Sequence, residues 1–239
     1  MLQVFSLNQR MYRQFRHLDT RGGTDLFSSV SGGGDGNGNG EKSQIGEILK
    51  MSEEFLQVLN EILQCPRRAG EPAPSRRGSG DQIAEDSYTR NGLDPPLILQ
   101  IIGCYLHLIR IYCTIFSRVR QLVTGSSFTS NLALLALPGL EISGFPLQSG
   151  ILQTTILLQV VMHLLGQIEE VLGIPTEHRI CGIEEQSNGM LSDLDSTDLF
   201  IAVLRQEERS NRASNRGSLK VLKEHIKSIR YSLNKRGLL

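Results

Sequence analysis

Apolar residues recur at three- and four-residue intervals in four stretches of this chain, and each predicts a helix with one buried face. In residues 43–64 the stripe is Ile45, Ile48, Leu49, Leu56, Leu59, Ile62 and Leu63, while Glu47, Lys50, Glu54 and Glu61 fall elsewhere. Residues 97–123 carry a broader face: Ile98, Ile101, Ile102, Tyr105, Leu108, Ile109, Tyr112, Ile115, Phe116, Val119, Leu122 and Val123. Apolar positions that spread past one stripe predict a central helix. Pro96 suits its first turn, and Gly125 and Ser126 mark its stop. In residues 151–172, Ile151, Thr155, Leu158, Val161, Met162, Leu165, Ile168 and Leu172 share a face, with Gly173 and Pro175 as stop signals. Residues 218–234 place Leu219, Leu222, Ile226, Ile229 and Leu233 on a heptad seam. Two heptads are too few for a coiled coil, so this helix is expected to dock on a bundle.

Between these stretches lie breakers. Residues 22–40 hold eight glycines, including the run SGGGDGNGNG, and can bury nothing. Residues 65–96 hold five of the eight prolines, which remove backbone donors and fix φ. The segment LPGLEISGFPLQ (137–148) has Pro138, Gly139, Gly144 and Pro146 against a regular element. Its apolar residues predict a loop strapped over the flanking helices. Around residues 191–200, apolar residues interleave with Asp193, Asp195 and Asp198. That pattern suits either presentation to a coactivator or a helix start capped by Ser196 or Asp198. The fold expected is all-α: a small helical bundle with disordered Gly-rich and Pro-rich linkers. Its segments are a disordered or basic amino-terminal part with the Gly-rich linker (1–42), an amphipathic helix (43–64), a Pro-rich linker (65–96) and a helical domain (97–239).

Charge changes this picture only locally. The chain is formally neutral. Residues 161–200 carry eight acids against one base, and residues 201–239 ten bases against three acids. Such asymmetry marks interaction surfaces, intramolecular pairing or simply solvated faces. The cations of the last helix can bind phosphate, although base-reading side chains are scarce there. Arg10, Arg13, Arg16 and Arg21 against Asp19 fit either a presequence or a short basic amphipathic helix. Arg67-Arg68 and Arg76-Arg77 could form a two-part nuclear import signal or only solubilise their linker. No uninterrupted apolar run reaches the ~18 residues of a membrane span. The best candidate, from Leu97, is broken by Gln100, His107 and Arg110.

Candidate chemistry is sparse. Cys65, Cys104, Cys113 and Cys181 form no C-x-x-C pair and have no histidine cluster nearby, so no metal site is expected. Cys104 and Cys113 read as buried free thiols. The histidines (His17, His107, His163, His178, His225) sit in no nucleophile or metallohydrolase motif. The adjacent pairs Glu169-Glu170 and Glu184-Glu185 point about 100° apart on a helix and cannot face each other. Catalytic, cofactor-binding and metal residues are therefore expected to be none. His107 and His163 would meet only if the two long helices packed antiparallel.

Three segments carry more information than periodicity: CYLHLIRIY (104–112), LPGLEISGF (137–145) and LLQVVMHLLGQIEEVLG (157–173). Together they resemble the carboxy-terminal regulatory region of the fungal aflatoxin regulatory protein and its relatives. The resemblance covers residues 97–172 well and extends loosely towards the carboxy terminus. Members of that family are transcription factors of secondary-metabolite gene clusters and normally carry a zinc binuclear cluster, which takes six cysteines; this chain has four. The resemblance implies a nuclear transcriptional regulator or co-regulator that acts through a protein partner. Such a partner would be a DNA-binding factor or a second copy, with DNA contact weak or indirect and no membrane. Two alternatives stand beside it: a small non-zinc enzyme of such a cluster, and a fragment of a longer zinc-cluster factor.

Overall fold

The computed structural model describes residues 2–20, 44–64, 93–124, 141–142, 145–146, 150–182, 189–210 and 217–235. Its helices are α1 (Leu2–Thr20), α2 (Gln44–Gln64), α3 (Pro95–Thr124), α4 (Gly150–Leu172), α5 (Leu194–Ser210) and α6 (Ser218–Asn234). A 3-10 turn, Thr176–His178, follows α4. The all-α expectation holds. The Gly-rich stretch 22–40 and the Pro-rich stretch up to residue 92 lie outside the described residues.

The hub is α3. Cys104, Tyr105 and Leu106 are consecutive and all buried. Successive residues turn through about 100°, so burial of three in a row spreads the covered surface over about 200° of that turn. Helices α1 and α6 enclose it, and α4 packs chiefly on α2. Helix α1 approaches α3 closely, because Gly103 has no Cβ; one there would sit 3.2 Å from Asn8 Nδ2. Asn8 in turn donates to Gln100 Oε1 at 2.7 Å. Helix α2 is tied to α3 by a buried bond of 2.7 Å between Ser52 Oγ and Tyr112 Oη.

Residues 2–20 are therefore part of the packed body and not a disordered arm. Val4, Leu7, Met11 and Leu18 are buried. Leu2, Phe5 and Tyr12, although apolar, are 87%, 57% and 48% exposed. The stripe one step round the helix is the one that meets α3. On α2 the predicted stripe holds at Ile45, Ile48 and Leu59 and shifts elsewhere. Met51, Ser52 and Phe55 are buried, while Leu63, placed on the apolar stripe by spacing, is 50% exposed.

The ends of the elements follow their local chemistry. Pro95 and Pro96 open α3, where missing N–H groups cost nothing, and Leu97 N–H bonds Asp94 O at 2.8 Å. Gly173 ends α4 with φ +70°. Its N–H bonds Glu170 O at 3.0 Å, and Ile174 N–H bonds Glu169 O at 3.1 Å, the paired bonds of a Schellman stop. The cap of α5 differs from expectation. Asp193, not Ser196 or Asp198, is the cap: its Oδ1 accepts the Ser196 N–H at 2.9 Å. Residues 141–142 and 145–146 also depart from the loop reading, forming an antiparallel pair with Glu141 opposite Pro146 and Ile142 opposite Phe145. The paired stretch is so short that proline at its end costs the ladder little.

By length and composition, α3 and α4 are long and apolar enough to cross a membrane. Here α3 has the enclosure of a core helix, and α4 lays its buried face on α2.

Leu158 and Leu165 are fully enclosed, as is Met11. Replacing any of them with Ala is expected to cost about 2–5 kcal/mol. Leu2→Ala and Phe5→Ala are expected to stay within about 0.5 kcal/mol of the parent. Thermal melts of the five variants check the assignment. Equal losses at Met11 and Leu2 would show that α1 docks by another face.

Candidate functional site

Two buried carboxylates organise the polar interior. Glu169, on α4, lies on that helix's apolar face and is 1% exposed. Its Oε1 accepts the Ile180 N–H at 2.7 Å and the Tyr105 hydroxyl at 3.0 Å, and its Oε2 accepts the Cys181 N–H at 3.1 Å. One side chain thus fixes the turn after α4 and links α4 to the hub. Burial pushes the Glu169 carboxyl above its usual range, opposed by those three donors and by the nearby charge of Lys223. Burial, then the charge of Glu169 and the hydrogen bond to it, raise the Tyr105 hydroxyl well above its usual value. Arg179 Nε closes the same turn on Ile174 O at 2.6 Å.

Glu207, on α5, is the second. Its Oε1 accepts Arg110 Nε at 3.0 Å and the Ser218 hydroxyl at 2.6 Å. It therefore clasps α3, α5 and the start of α6. Neither carboxylate was singled out by the sequence reading for this role. A signal existed, since each acid occupies an apolar stripe: Glu169 with Leu165 and Leu172, Glu207 with Phe200 and Leu204.

The histidines do not converge. The His107 ring stands 5.4 Å from the Tyr12 ring on α1. His163 is exposed and lines a groove with Gln57 and Asn60 of α2. Burial lowers the pKa of His107, with a further contribution from Arg110; burial and then Arg120 lower that of His225. The cysteines are dispersed as well. Burial pushes the thiols of Cys104 and Cys181 up to about 12 and that of Cys113 to about 11, so none is a ready thiolate at neutral pH. Cys181 Sγ donates to Met162 O at 2.9 Å. Among the described residues, no three His, Cys, Asp or Glu side chains are grouped to hold a metal. Cys65, the pair Glu184-Glu185 and the arginines at 67, 68, 76 and 77 lie outside the described residues.

The acidic-apolar stretch also resolves into structure. Leu191 and Phe200 are buried, and the Phe200 ring packs 6.2 Å from both Tyr105 and His178. Only Leu194 is presented outward, at 75% exposure. The heptad seam of α6 is wholly buried, and α6 docks on α3.

The family described as the CcsR C-terminal domain has a model that matches residues 1–237. The chain belongs to this family. Among its relatives, the cytochalasin cluster regulator ccsR of Aspergillus clavatus is 30% identical over 74% of this chain and 36% of its own length. The transcription factor gkaF of Penicillium citrinum is 28% identical over 64% of the chain and 37% of its own length. The C6 finger transcription factor poxB of Penicillium oxalicum is 32% identical over 56% and 22%. The chain thus spans about a third of the first two relatives. No solved structure matches it. The resemblance to carboxy-terminal regions of cluster-specific fungal transcription factors holds, and the family is that of CcsR.

Glu169→Ala leaves three buried donors unpaired. Each such orphan costs about 1–3 kcal/mol, so denaturant titration should find a loss above about 3 kcal/mol. A parent-like midpoint would show the turn held by other means. The histidines predict a pH dependence. The folded pKa values of His107 and His225 lie below the ordinary 6.5, so their stabilising contribution is full above pH 6.5 and is lost as pH falls through the lowered values. Glu169 acts with the opposite sign: its folded value lies above 4.5, and its contribution is present below pH 4.5 and lost as pH rises through that value. Denaturant titrations between pH 7.5 and 5.5 should show falling stability, with a smaller fall in His225→Gln. An equal fall in the variant would remove His225 from the account.

Proposed function

We propose that this chain serves a fungal secondary-metabolite gene cluster as a transcriptional regulator or co-regulator that works in the nucleus through protein contacts. The family match over residues 1–237 carries this reading. Relatives bearing the names of cluster regulators and transcription factors support it. The side chains with perturbed pKa values point the same way. Glu169 and Tyr105 spend their hydrogen bonds on holding helices together rather than on lining a cleft. The chain's four cysteines fall short of the set that a Zn2Cys6 module takes, so base reading belongs to a partner or to a region beyond this one.

Deletion of the gene is expected to change several neighbouring biosynthetic transcripts together. Unchanged transcripts with accumulation of one pathway intermediate would reject the regulator reading in favour of an enzyme. Leu222→Glu with Ile229→Glu should reproduce the deletion. Both side chains are fully buried on α3, and an unpaired charge there costs several kcal/mol. Transcript profiling of the three strains, with metabolite analysis, makes the test.

A further inference from the structure

Docking of the α6 seam on α3 throws the cations of α6 onto one flank. Lys220, Lys223, Lys227 and Arg230 follow at i, i+3, i+7 and i+10. At 100° and 1.5 Å per residue they occupy an arc of about 80° and a length of about 15 Å. Lys220, Lys227 and Arg230 are exposed, and Lys223 is half-buried. The opposite flank, Val221, Ser228 and Ser232, is uncharged. Glu224 borders the stripe and is the acid of this helix.

Fold stability accounts for only part of the stripe, through the charge of Lys223 near the buried Glu169. Lys220 and Lys223 lie in the amino-terminal half of α6, where the helix dipole disfavours cations. Lys220 pairs with Glu208 at 2.9 Å, but both side chains are exposed, and such pairs contribute little. Lys223 Nζ donates to Glu177 O at 3.0 Å. Neither contact is buried enough to stop the ammonium groups from exchanging partners. Beneath them the helix is a rigid platform, since Leu222, Ile229 and Leu233 are fully buried and Ser218 is clasped by Glu207.

We propose that this stripe is a sequence-independent contact for the phosphate backbone of duplex DNA. It rests on the regulator reading, which brings the chain to a promoter. About 15 Å of duplex axis presents roughly four phosphates of one strand, at ~3.4 Å each, which matches the four cations in number and length. An acidic protein is the poorer fit. Protein interfaces are depleted in lysine and centred on desolvated aromatic or arginine anchors. The arc holds three lysines, one exposed arginine and no apolar side chain; Tyr231, 68% exposed, stands at its margin. The stripe would add affinity and leave choice of sequence to the partner.

The full chain, titrated by fluorescence anisotropy with a labelled 25-base-pair duplex of unrelated sequence in a salt series, tests this. Each phosphate contact contributes a slope of about −0.9 to log K against log salt. Changing Lys220, Lys223, Lys227 and Arg230 to Gln should flatten the slope by about 3 to 4, and Lys227→Gln alone by about 1. Arg13→Gln, on the exposed side of α1, should leave it unchanged. Melting temperatures of the variants confirm folding, and only folded variants are compared. No binding by the parent at low salt, or an unchanged slope in the fourfold variant, overturns the proposal. So does tighter binding of poly-glutamate than of DNA that the same variant abolishes, which would assign the stripe to an acidic protein. Failure here leaves the regulator reading standing, because that reading is judged by transcripts. Unchanged transcripts would in turn leave the measured phosphate contact intact.

Discussion

Everything in this fold answers to the enclosure of α3. A helix with apolar groups around most of its circumference cannot lie on a surface by one face, because water would meet apolar side chains on every turn. Helices drawn from both ends of the chain cover it, α1 from the start and α6 from the finish. That places the two termini of the described body on one hub. The two tyrosines inside must then find partners away from water. Tyr112 finds Ser52 of α2, and Tyr105 finds Glu169 of α4.

Glu169 shows how the second layer follows. Its carboxylate is costly to bury, and three donors offset that cost by converging on two oxygens. The turn after α4 is held from inside by this side chain and from its own start by Gly173, the one position there that needs a left-handed backbone. Residues 189–191 then close over the end of α4. Met190 and Leu191 donate to Val171 O and Leu172 O at 3.1 and 2.7 Å, satisfying carbonyls that a helix end leaves open. Glu207 repeats the device for α5 and α6. With both ends of this half fixed, α6 has one rotational setting, and its cations have one direction.

A body built this way has used Glu169 and its tyrosine partner for cohesion. Its histidines and thiols are separated by the same helices that bury them. What remains outward is charge pattern and surface shape, which suit binding. Membership of the CcsR family accords with that division.

Periodicity by itself determined α4 and α6 and most of their inward faces. Apolar side chains at 3.6-residue spacing have one place to go, so Leu158, Leu165 and the seam of α6 could be assigned without tertiary knowledge. Local chemistry likewise set the stops at Gly173 and Pro175. Short motifs carried the family, since no periodicity distinguishes one helical bundle from another. The tertiary structure decided what sequence spacing leaves degenerate. In α1 and α2, apolar residues exceed one stripe, and only tertiary contact chose Met11 over Phe5, against α3, and Phe55 over Leu63, on a helix that packs chiefly with α4. Asp193 became a cap because its carboxylate reached the Ser196 N–H, a matter of backbone path rather than composition. Glu169 and Glu207 looked like solvated acids by type. Their roles came from donors far away in sequence, Tyr105, Ile180, Arg110 and Ser218, which only packing brings within hydrogen-bond distance.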